Sequence, residues 1–400
     1  MKAGEAIALT ERYQMRNYSR FPVTFVRGEG CWLFDDTGKR YLDFLGGIAV
    51  ALLGHAQPAV TRAITEQAGM LVHVSNLFHV PSQALLGERL SAATTGGKVF
   101  FCNSGTEANE AAMKLARKWS RDRYGEGRHE IVVLEGSFHG RTYGGLSATA
   151  QPKFHVGFEP MLPGFATVPF GDVETLRAAL TDRVCALLIE PIQGENGVRM
   201  LPPGYLGEAA RLCSDRGILF VADEIQTGMG RTGSFLACSR SGVVPDVATL
   251  AKGLANGLPL GAVIARDEVA AAFGPGSHGS TFGGNPVCCA ASLAVMEILS
   301  SPGFLDSVAR KGEKLAAGLA DIAAGRTDVR EVRGAGLMVG MEMEVETKPI
   351  AAACLDAGLV VNAAAGNVLR FLPPLTVAEE EIDRALSILA AVLPAGGRKG

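Results

Sequence analysis

Five short stretches end in, or are followed by, side chains that could do chemistry together. "VATLAK" ends in Lys252 and "ILFVADE" carries Asp223. "VCALLIE" ends in Glu190 and runs into "PIQGE". "KVFFC" is followed by "NSGTEANE", and "IVVLE" by "GSFHGRT". Most lysines are solvated surface groups. One at the end of a buried strand loses solvation instead, which lowers its pKa and lets the neutral amine attack a carbonyl to form an imine. A carboxylate at the position of Asp223 needs a cation or several hydrogen bonds to offset its burial, and capping a helix is its plainer role. Ser104-Gly105-Thr106 opens a helix that carries Glu107 and Glu110 early on. Serine alone explains an N-cap. The turn also offers backbone N–H groups and two hydroxyls at the positive end of a helix, where a phosphate binds. One cofactor, pyridoxal 5′-phosphate, uses all of these. It needs a lysine for its aldehyde, a helix N-terminus for its phosphate, and a carboxylate to keep its ring nitrogen protonated. It also needs a flat stacking face, which Phe138 can provide.

The elements that must position these residues follow from the hydrophobic pattern. The runs at 98–102, 131–135, 184–190, 218–224, 247–252 and 260–265 are short and nearly all apolar. Amphipathic stretches such as "TEANEAAMKLARKW" (106–119) and "GYLGEAARLCSDRG" (204–217) lie between many of them. That alternation predicts a mostly parallel sheet covered by helices on both faces. In such a sheet, ligands bind beyond the carboxyl ends of the strands, which is where the candidate residues fall. "TFVRGEGCWLFDDTGKRYLDF" (24–44) alternates around the turn "DDTGK" and reads as antiparallel strands. From about 290 the pattern is a helix, "GLMVGMEME" (336–344), "VLRFLPP" (368–374) and a last helix near 377–393, which reads as a smaller α+β domain. The expected division is an N-terminal segment 1–50, a large domain 51–290 and a C-terminal domain 291–400.

Composition narrows the classes. The formal net charge is −3, with no basic block to hold nucleic acid. No apolar stretch is long enough to span a membrane, and the start has no secretory h-region. The eight cysteines lack CxxC spacing and the seven histidines form no HExxH-like cluster, so reduced, buried thiols in a cytoplasmic protein without a metal site are expected. Gly228, Gly230 and Gly233 match G-x-G-x-x-G. A dinucleotide turn, however, needs its first glycine directly after the strand and a long helix after the last. Here "DEIQT" intervenes and "SFLACSRSGVVPD" follows, so Asp223 and Gln226 are the working residues and the glycines shape a loop.

The motifs "NSGTEANEAAMKLARK", "GSFHGRT", "IEPIQGENGV", "ADEIQTGMGRTG", "TLAKGLANGLPLGA" and "HGSTFGGNP" occur in this order. Nearly the whole chain resembles the class III aminotransferases, pyridoxal-phosphate enzymes of fold type I, and within them the acetylornithine aminotransferases. The resemblance implies a large domain with a mostly parallel seven-stranded sheet and a smaller domain built by both termini. It implies that Lys252 links to the cofactor, that Asp223 pairs with its ring nitrogen and that Gln226 lies near its 3′-oxygen. Ser104, Gly105 and Thr106 would hold the phosphate, and Phe138 would cover a ring face. Thr281 would reach the phosphate of the neighbouring subunit in a homodimer, with Ser280 beside it at the substrate site. Arg141 would hold the substrate carboxylate distant from the reacting amine, and Glu195 and Arg370 would form the pair that admits two different substrates. Ser75-Asn76 fits the pattern near the substrate mouth. The family usually has asparagine where this chain has Ala51, which bears on fine substrate preference.

The implied reaction moves the terminal amino group of N-acetylornithine to 2-oxoglutarate, in arginine biosynthesis, with Lys252 shuttling the proton and with ping-pong kinetics. Ornithine, succinylornithine, succinyldiaminopimelate and 4-aminobutyrate aminotransferases share this residue set. So could a member acting on a carrier-bound amine, a 2,1-aminomutase that retains the amino group, or a non-catalytic binder. The intact Lys252, Asp223 and phosphate turn disfavour the last.

Overall fold

The computed structural model of the chain describes residues 3–393. Its centre is a seven-stranded sheet. The spatial order is Lys98–Cys102, Gly261–Ala265, Val247–Leu250, Leu219–Asp223, Val184–Ile189, Glu130–Leu134 and Phe165–Val168. Gly261–Ala265 runs antiparallel to both neighbours, and every other adjacent pair is parallel. Every residue of the three strands Val184–Ile189, Leu219–Asp223 and Val247–Leu250 is buried. Helices cover both faces there, so the strands are nearly all apolar rather than alternating, with Asp223 and Thr249 as the polar exceptions. In the parallel register Asp223 stands opposite Thr249.

Phe165–Val168 is a strand that the sequence reading did not contain. It forms an edge and only Val168 is fully buried, so its four residues lack a continuous apolar run. The helix Gly105–Tyr124 lies across the strands around Val247–Leu250. It buries Ala108, Ala111, Ala112, Leu115 and Ala116 at helical spacing, and small alanines let its axis approach the sheet closely. Asn109 is the polar exception on that face.

A second sheet takes Phe25–Glu29, Trp32–Asp35 and Arg40–Asp43 as antiparallel neighbours. Leu359–Val360 then adds in parallel beside Arg40–Asp43, so segments from both ends of the chain share one sheet. The carboxylate of Asp35 organises the "DDTGK" turn by accepting the N–H groups of Thr37 and Lys39 at 2.9 and 3.0 Å. A third sheet, wholly antiparallel, has the order Val329–Ala335, Met338–Met343, Val368–Phe371, Asn362–Ala364. The helices Phe304–Ala323 and Glu379–Val392 pack against each other beside it.

After Gly233 the chain makes only a short 3-10 turn, Cys238–Ser241, before the next strand begins at Val247. A dinucleotide-binding βα unit is therefore absent at "GMGRTG". All eight cysteines are buried and unbridged. Among the described residues no single helix is long and apolar enough to cross a membrane.

Candidate active site

The strand ends converge on one cavity of about 410 Å³. Its walls include Ser104, Gly105, Thr106, Phe138, Arg141, Glu190, Asp223, Gln226 and Lys252. These come from five separate connections that leave the sheet, and the sheet brings them together only because the strands that precede them run the same way.

Lys252 begins a 3-10 turn directly after Val247–Leu250 and Ala251. Its φ of +45° lies in the left-handed region, a conformation costly for a side chain bearing a Cβ and found where the surroundings hold it in place. The ammonium has no hydrogen-bond or ion-pair partner among the described residues. Burial pushes its pKa down from the ordinary lysine value, opposed first by the charge of Glu195. Such an amine is readily neutral and nucleophilic.

Asp223 is the last residue of its strand and is 4 % exposed. Its Oδ2 accepts hydrogen bonds from Asn109 Nδ2 at 2.7 Å and from His139 Nδ1 at 2.8 Å. Its Oδ1 accepts only the N–H of Ile225, at 3.1 Å, which leaves capacity for a donor from the cavity. Glu190 also lines the cavity and accepts the Phe138 N–H at 2.9 Å. Burial and then the nearby Asp223 raise its pKa well above the ordinary carboxylate value, which favours the neutral acid at Glu190.

Ser104 caps the helix Gly105–Tyr124, its Oγ accepting the Glu107 N–H at 3.3 Å. Gly105 and Thr106 follow in the first turn, whose N–H groups have no intrahelical acceptor. The loop carrying Phe138 to Arg141 passes directly over this turn. At Gly140, with φ +130°, an added Cβ would lie 2.1 Å from Thr106 Oγ1, so only glycine fits. Arg141 is exposed at the cavity rim and its guanidinium lies over the rings of Phe154 and Phe138, 4.0 and 5.5 Å from their centroids. No carboxylate pairs with it among the described residues.

Glu195 and Arg370, 175 residues apart in the sequence, meet in a 2.8 Å ion pair. Arg370 is buried and also donates to Gly194 O, Gln226 Oε1 and Asn362 Oδ1 at 2.9, 3.1 and 2.7 Å. Gln226 Nε2 returns a bond to Glu195 at 3.2 Å. Burial alone would raise the pKa of Glu195, but the charges of Arg370 and Lys252 and the hydrogen bonds from Arg370 and Gln226 together outweigh it and bring the value down to about 2.

Glu195 and Arg370 adjoin the cavity through Gln226 without lining it, and Thr281 and Ser280 also stand apart from it within one chain. Thr281 is exposed and rims a separate hollow with His73, Asn76, Gln83 and Phe282. Ser280 Oγ accepts Asn103 Nδ2 at 3.2 Å and so lies one side chain behind the cavity wall. Asn76 ties the same loop down by donating to the carbonyls of Ser280 and Gly283 at 3.1 and 2.9 Å.

The structure adds residues that sequence reasoning missed. Asn109 and His139 hold Asp223; the signal for Asn109 was a polar side chain on an alanine-rich buried helix face. Residues 46–49 form a left-handed turn, with φ of 56, 63, 65 and 63° at Gly46, Gly47, Ile48 and Ala49. It delivers Val50 to the cavity wall. The adjacent glycines adopt this turn freely, whereas Ile48 and Ala49 each bear about 1–2 kcal/mol of strain.

These residues fit a pyridoxal phosphate. The cavity holds an unpartnered, half-buried amine, a carboxylate with a free acceptor site, first-turn N–H groups beside a hydroxyl, and an aromatic ring. Residues 13–393 match the family described as aminotransferase class-III. The chain is 48 % identical over 388 residues to an acetylornithine aminotransferase of Caldanaerobacter subterraneus, covering 97 % of this chain and 98 % of that one. Its fold superposes on N-acetylornithine aminotransferase from Stenotrophomonas maltophilia with a TM-score of 0.83 at 35 % identity, covering 96 and 98 % of the two chains. It superposes on the Toxoplasma gondii ornithine aminotransferase, in a structure with pyridoxal phosphate partially occupying the active site, with a TM-score of 0.94 at 32 % identity, covering 98 and 94 %. The chain belongs to the class III aminotransferases.

Proposed function

We propose that this enzyme transfers the terminal amino group of N-acetylornithine to 2-oxoglutarate, yielding N-acetylglutamate semialdehyde and glutamate, a step of arginine biosynthesis. The observation that carries the reading is Lys252, a half-buried, desolvated amine without a partner among the described residues, sharing one cavity with Asp223 and the first turn of the helix Gly105–Tyr124. The substrate choice is supported by the relatives of nearly full-length similarity, which are acetylornithine aminotransferases.

Pyridoxal 5′-phosphate, when bound, supplies an aldehyde that captures amines and a ring that takes up electrons. The chain's own residues do the rest. Lys252 holds the cofactor between turnovers and, once displaced by the substrate amine, moves the proton as general base and acid. Asp223 keeps the ring nitrogen charged. Ser104, Gly105 and Thr106 receive the phosphate, Phe138 covers a ring face and Gln226 lies toward the 3′-oxygen. Arg141, with no carboxylate of its own, receives the distal carboxylate of the substrate. Glu195 neutralises Arg370 while the terminal amine reacts, and releases it when the carboxylate of 2-oxoglutarate arrives.

The working form is a homodimer in the cytoplasm, in which Thr281 and Ser280 complete the partner's site. The exposure of Thr281, together with the exposed apolar side chains Met70, Leu77, Phe78 and Phe282, supports that assignment. Within the expected bounds 1–50 and 291–400, the described residues 3–50 and 291–393 form the small domain and 51–290 the large one, a division supported by the sheet that strands from both ends share; residues 1–2 and 394–400 lie outside the described residues. A panel of ω-amines with and without an N-acyl group, with 2-oxoglutarate as acceptor, tests the proposal. N-acetylornithine is expected to give the highest kcat/KM; preference for free ornithine or 4-aminobutyrate overturns the substrate assignment.

A further inference from the structure

The carboxylate of Asp223 does not stand alone at its strand end. Asn109 enters it from the helix Gly105–Tyr124, and Asn109 is itself gripped on every polar atom. Its Nδ2 donates to Asp223 Oδ2 at 2.7 Å and to His139 O at 2.9 Å. Its Oδ1 accepts the Thr249 hydroxyl at 2.9 Å. Asn109 and Thr249 are fully buried, and His139 is 1 % exposed. Thr249 is the residue directly across the sheet from Asp223 in the parallel register. An amide has one donor end and one acceptor end. The His139 carbonyl, which can only accept, therefore determines which end faces the carboxylate, since a flipped amide would set its oxygen against both Asp223 and that carbonyl; the Thr249 O–H holds the amide oxygen in place from the other side.

The consequence for Asp223 is geometric. Oδ2 is occupied by two side-chain donors, from Asn109 and His139, whereas Oδ1 carries one backbone N–H. The less occupied oxygen is the one with capacity for a further donor. We infer that Asn109, held in place by Thr249, is a positioning residue that fixes the Asp223 carboxylate with Oδ1 presented to the cavity. The inference rests on the reading of Asp223 as the partner of the cofactor's ring nitrogen, and it extends that reading to Asn109 at the cavity wall and to Thr249 behind it, outside the lining. A polar trio on an otherwise apolar helix–sheet interface carries a desolvation cost that alanine and valine would avoid, so a packing role alone does not account for it.

The test uses the holoenzyme and reads the pH at which its visible absorption band is lost. When the donor to Oδ2 is removed or turned round, the carboxylate is less stabilised and the shared proton moves from the ring nitrogen toward the oxygen. The ring then carries less positive charge, and the nitrogen linking Lys252 to the cofactor keeps its proton to higher pH. Asn109→Ala and Thr249→Val should each move the transition upward by about half a unit or more, a roughly threefold change in proton affinity. Thr249→Ser, which keeps the hydroxyl, should leave it in place. Turnover should fall about tenfold in the first two with KM for both substrates nearly unchanged, since only barrier-lowering is lost. Thr249→Val is close to isosteric, so the Val and Ser pair carries the test even where Asn109→Ala fails to fold. Asp223→Asn serves as the reference. If it moves the transition while Thr249→Val does not, or if Thr249→Ser behaves as Thr249→Val, the positioning role is wrong. If Asp223→Asn itself leaves the transition unmoved, the ring-nitrogen reading falls and this inference with it.

Discussion

Replacing Glu195 by glutamine is the substitution whose effect can be worked furthest from the structure. Glu195 makes a 2.8 Å ion pair with Arg370, and its side chain is 29 % exposed. Its pKa is brought down to about 2, against the net effect of burial. Relative to an ordinary carboxylate near 4.3, that shift corresponds to about 3 kcal/mol favouring the ionised, paired form. An incoming α-carboxylate must displace Glu195 from Arg370 and so works against an interaction of that order. In Glu195→Gln the competitor is neutral, and glutamate should gain as an amino donor by up to about 100-fold in kcat/KM. Arg370→Ala should do the reverse. Losing one partner of a buried charge pair costs about 2–5 kcal/mol, so the 2-oxoglutarate half-reaction should slow at least about 30-fold, since every 1.4 kcal/mol is tenfold. The acetylornithine half-reaction should change much less. Single-turnover absorbance, following the loss of the visible band with each amine and its recovery with 2-oxoglutarate, separates the two steps. Equal slowing of both half-reactions in each variant would show that the pair is structural. The sign of the pH effect is also fixed. The folded pKa lies below the unfolded one, so the pair's contribution to stability is full above about pH 4.3. It is lost only as pH falls through about 2. Discrimination against α-amines should therefore be flat between about pH 5 and 9 in the native enzyme.

Lys252→Ala should retain cofactor without a covalent bond and lose turnover by about ten-thousand-fold or more, since both the nucleophile and the proton shuttle vanish. Borohydride reduction of the native holoenzyme followed by peptide mapping should label Lys252; a label on another lysine contradicts the assignment. Asp223→Asn keeps the shape but removes the charge at the ring nitrogen, and a kcat within about threefold of native, well under 1 kcal/mol of barrier, would rule that role out. Sedimentation at catalytic concentrations should give a dimer, and Thr281→Ala should weaken cofactor binding. A fully active monomer at nanomolar concentration would refute a composite site.

The residues that do chemistry were legible because each follows a strand whose burial on both faces leaves an almost unbroken apolar run. Lys252, Asp223 and Glu190 stand where such runs stop. The helix Gly105–Tyr124 was legible from its spacing and its serine cap. What escaped depends on contacts between distant segments. The edge strand Phe165–Val168 lacks a buried face on most of its length. Nothing in an apolar run such as "GAVIA" says that Gly261–Ala265 lies antiparallel to its neighbours. Val329–Ala335 carries Arg330, Glu331 and Arg333 on a largely unburied strand and reads as a loop. The support of Asp223 by Asn109, His139 and Thr249 joins a helix, a loop and a neighbouring strand, and no spacing rule links those positions. The left-handed turn at 46–49 is hinted at by paired glycines, but its continuation through Ile48 and Ala49 is set by packing rather than by preference.

The most direct test of the account follows the nitrogen atom. N-acetylornithine labelled with heavy nitrogen at its terminal amine is incubated with the enzyme and 2-oxoglutarate, and the products are resolved by mass spectrometry. The account predicts that the label appears in glutamate while N-acetylglutamate semialdehyde forms in equal amount. Label retained in a rearranged amine, or no transfer although Lys252 carries the cofactor, would contradict it.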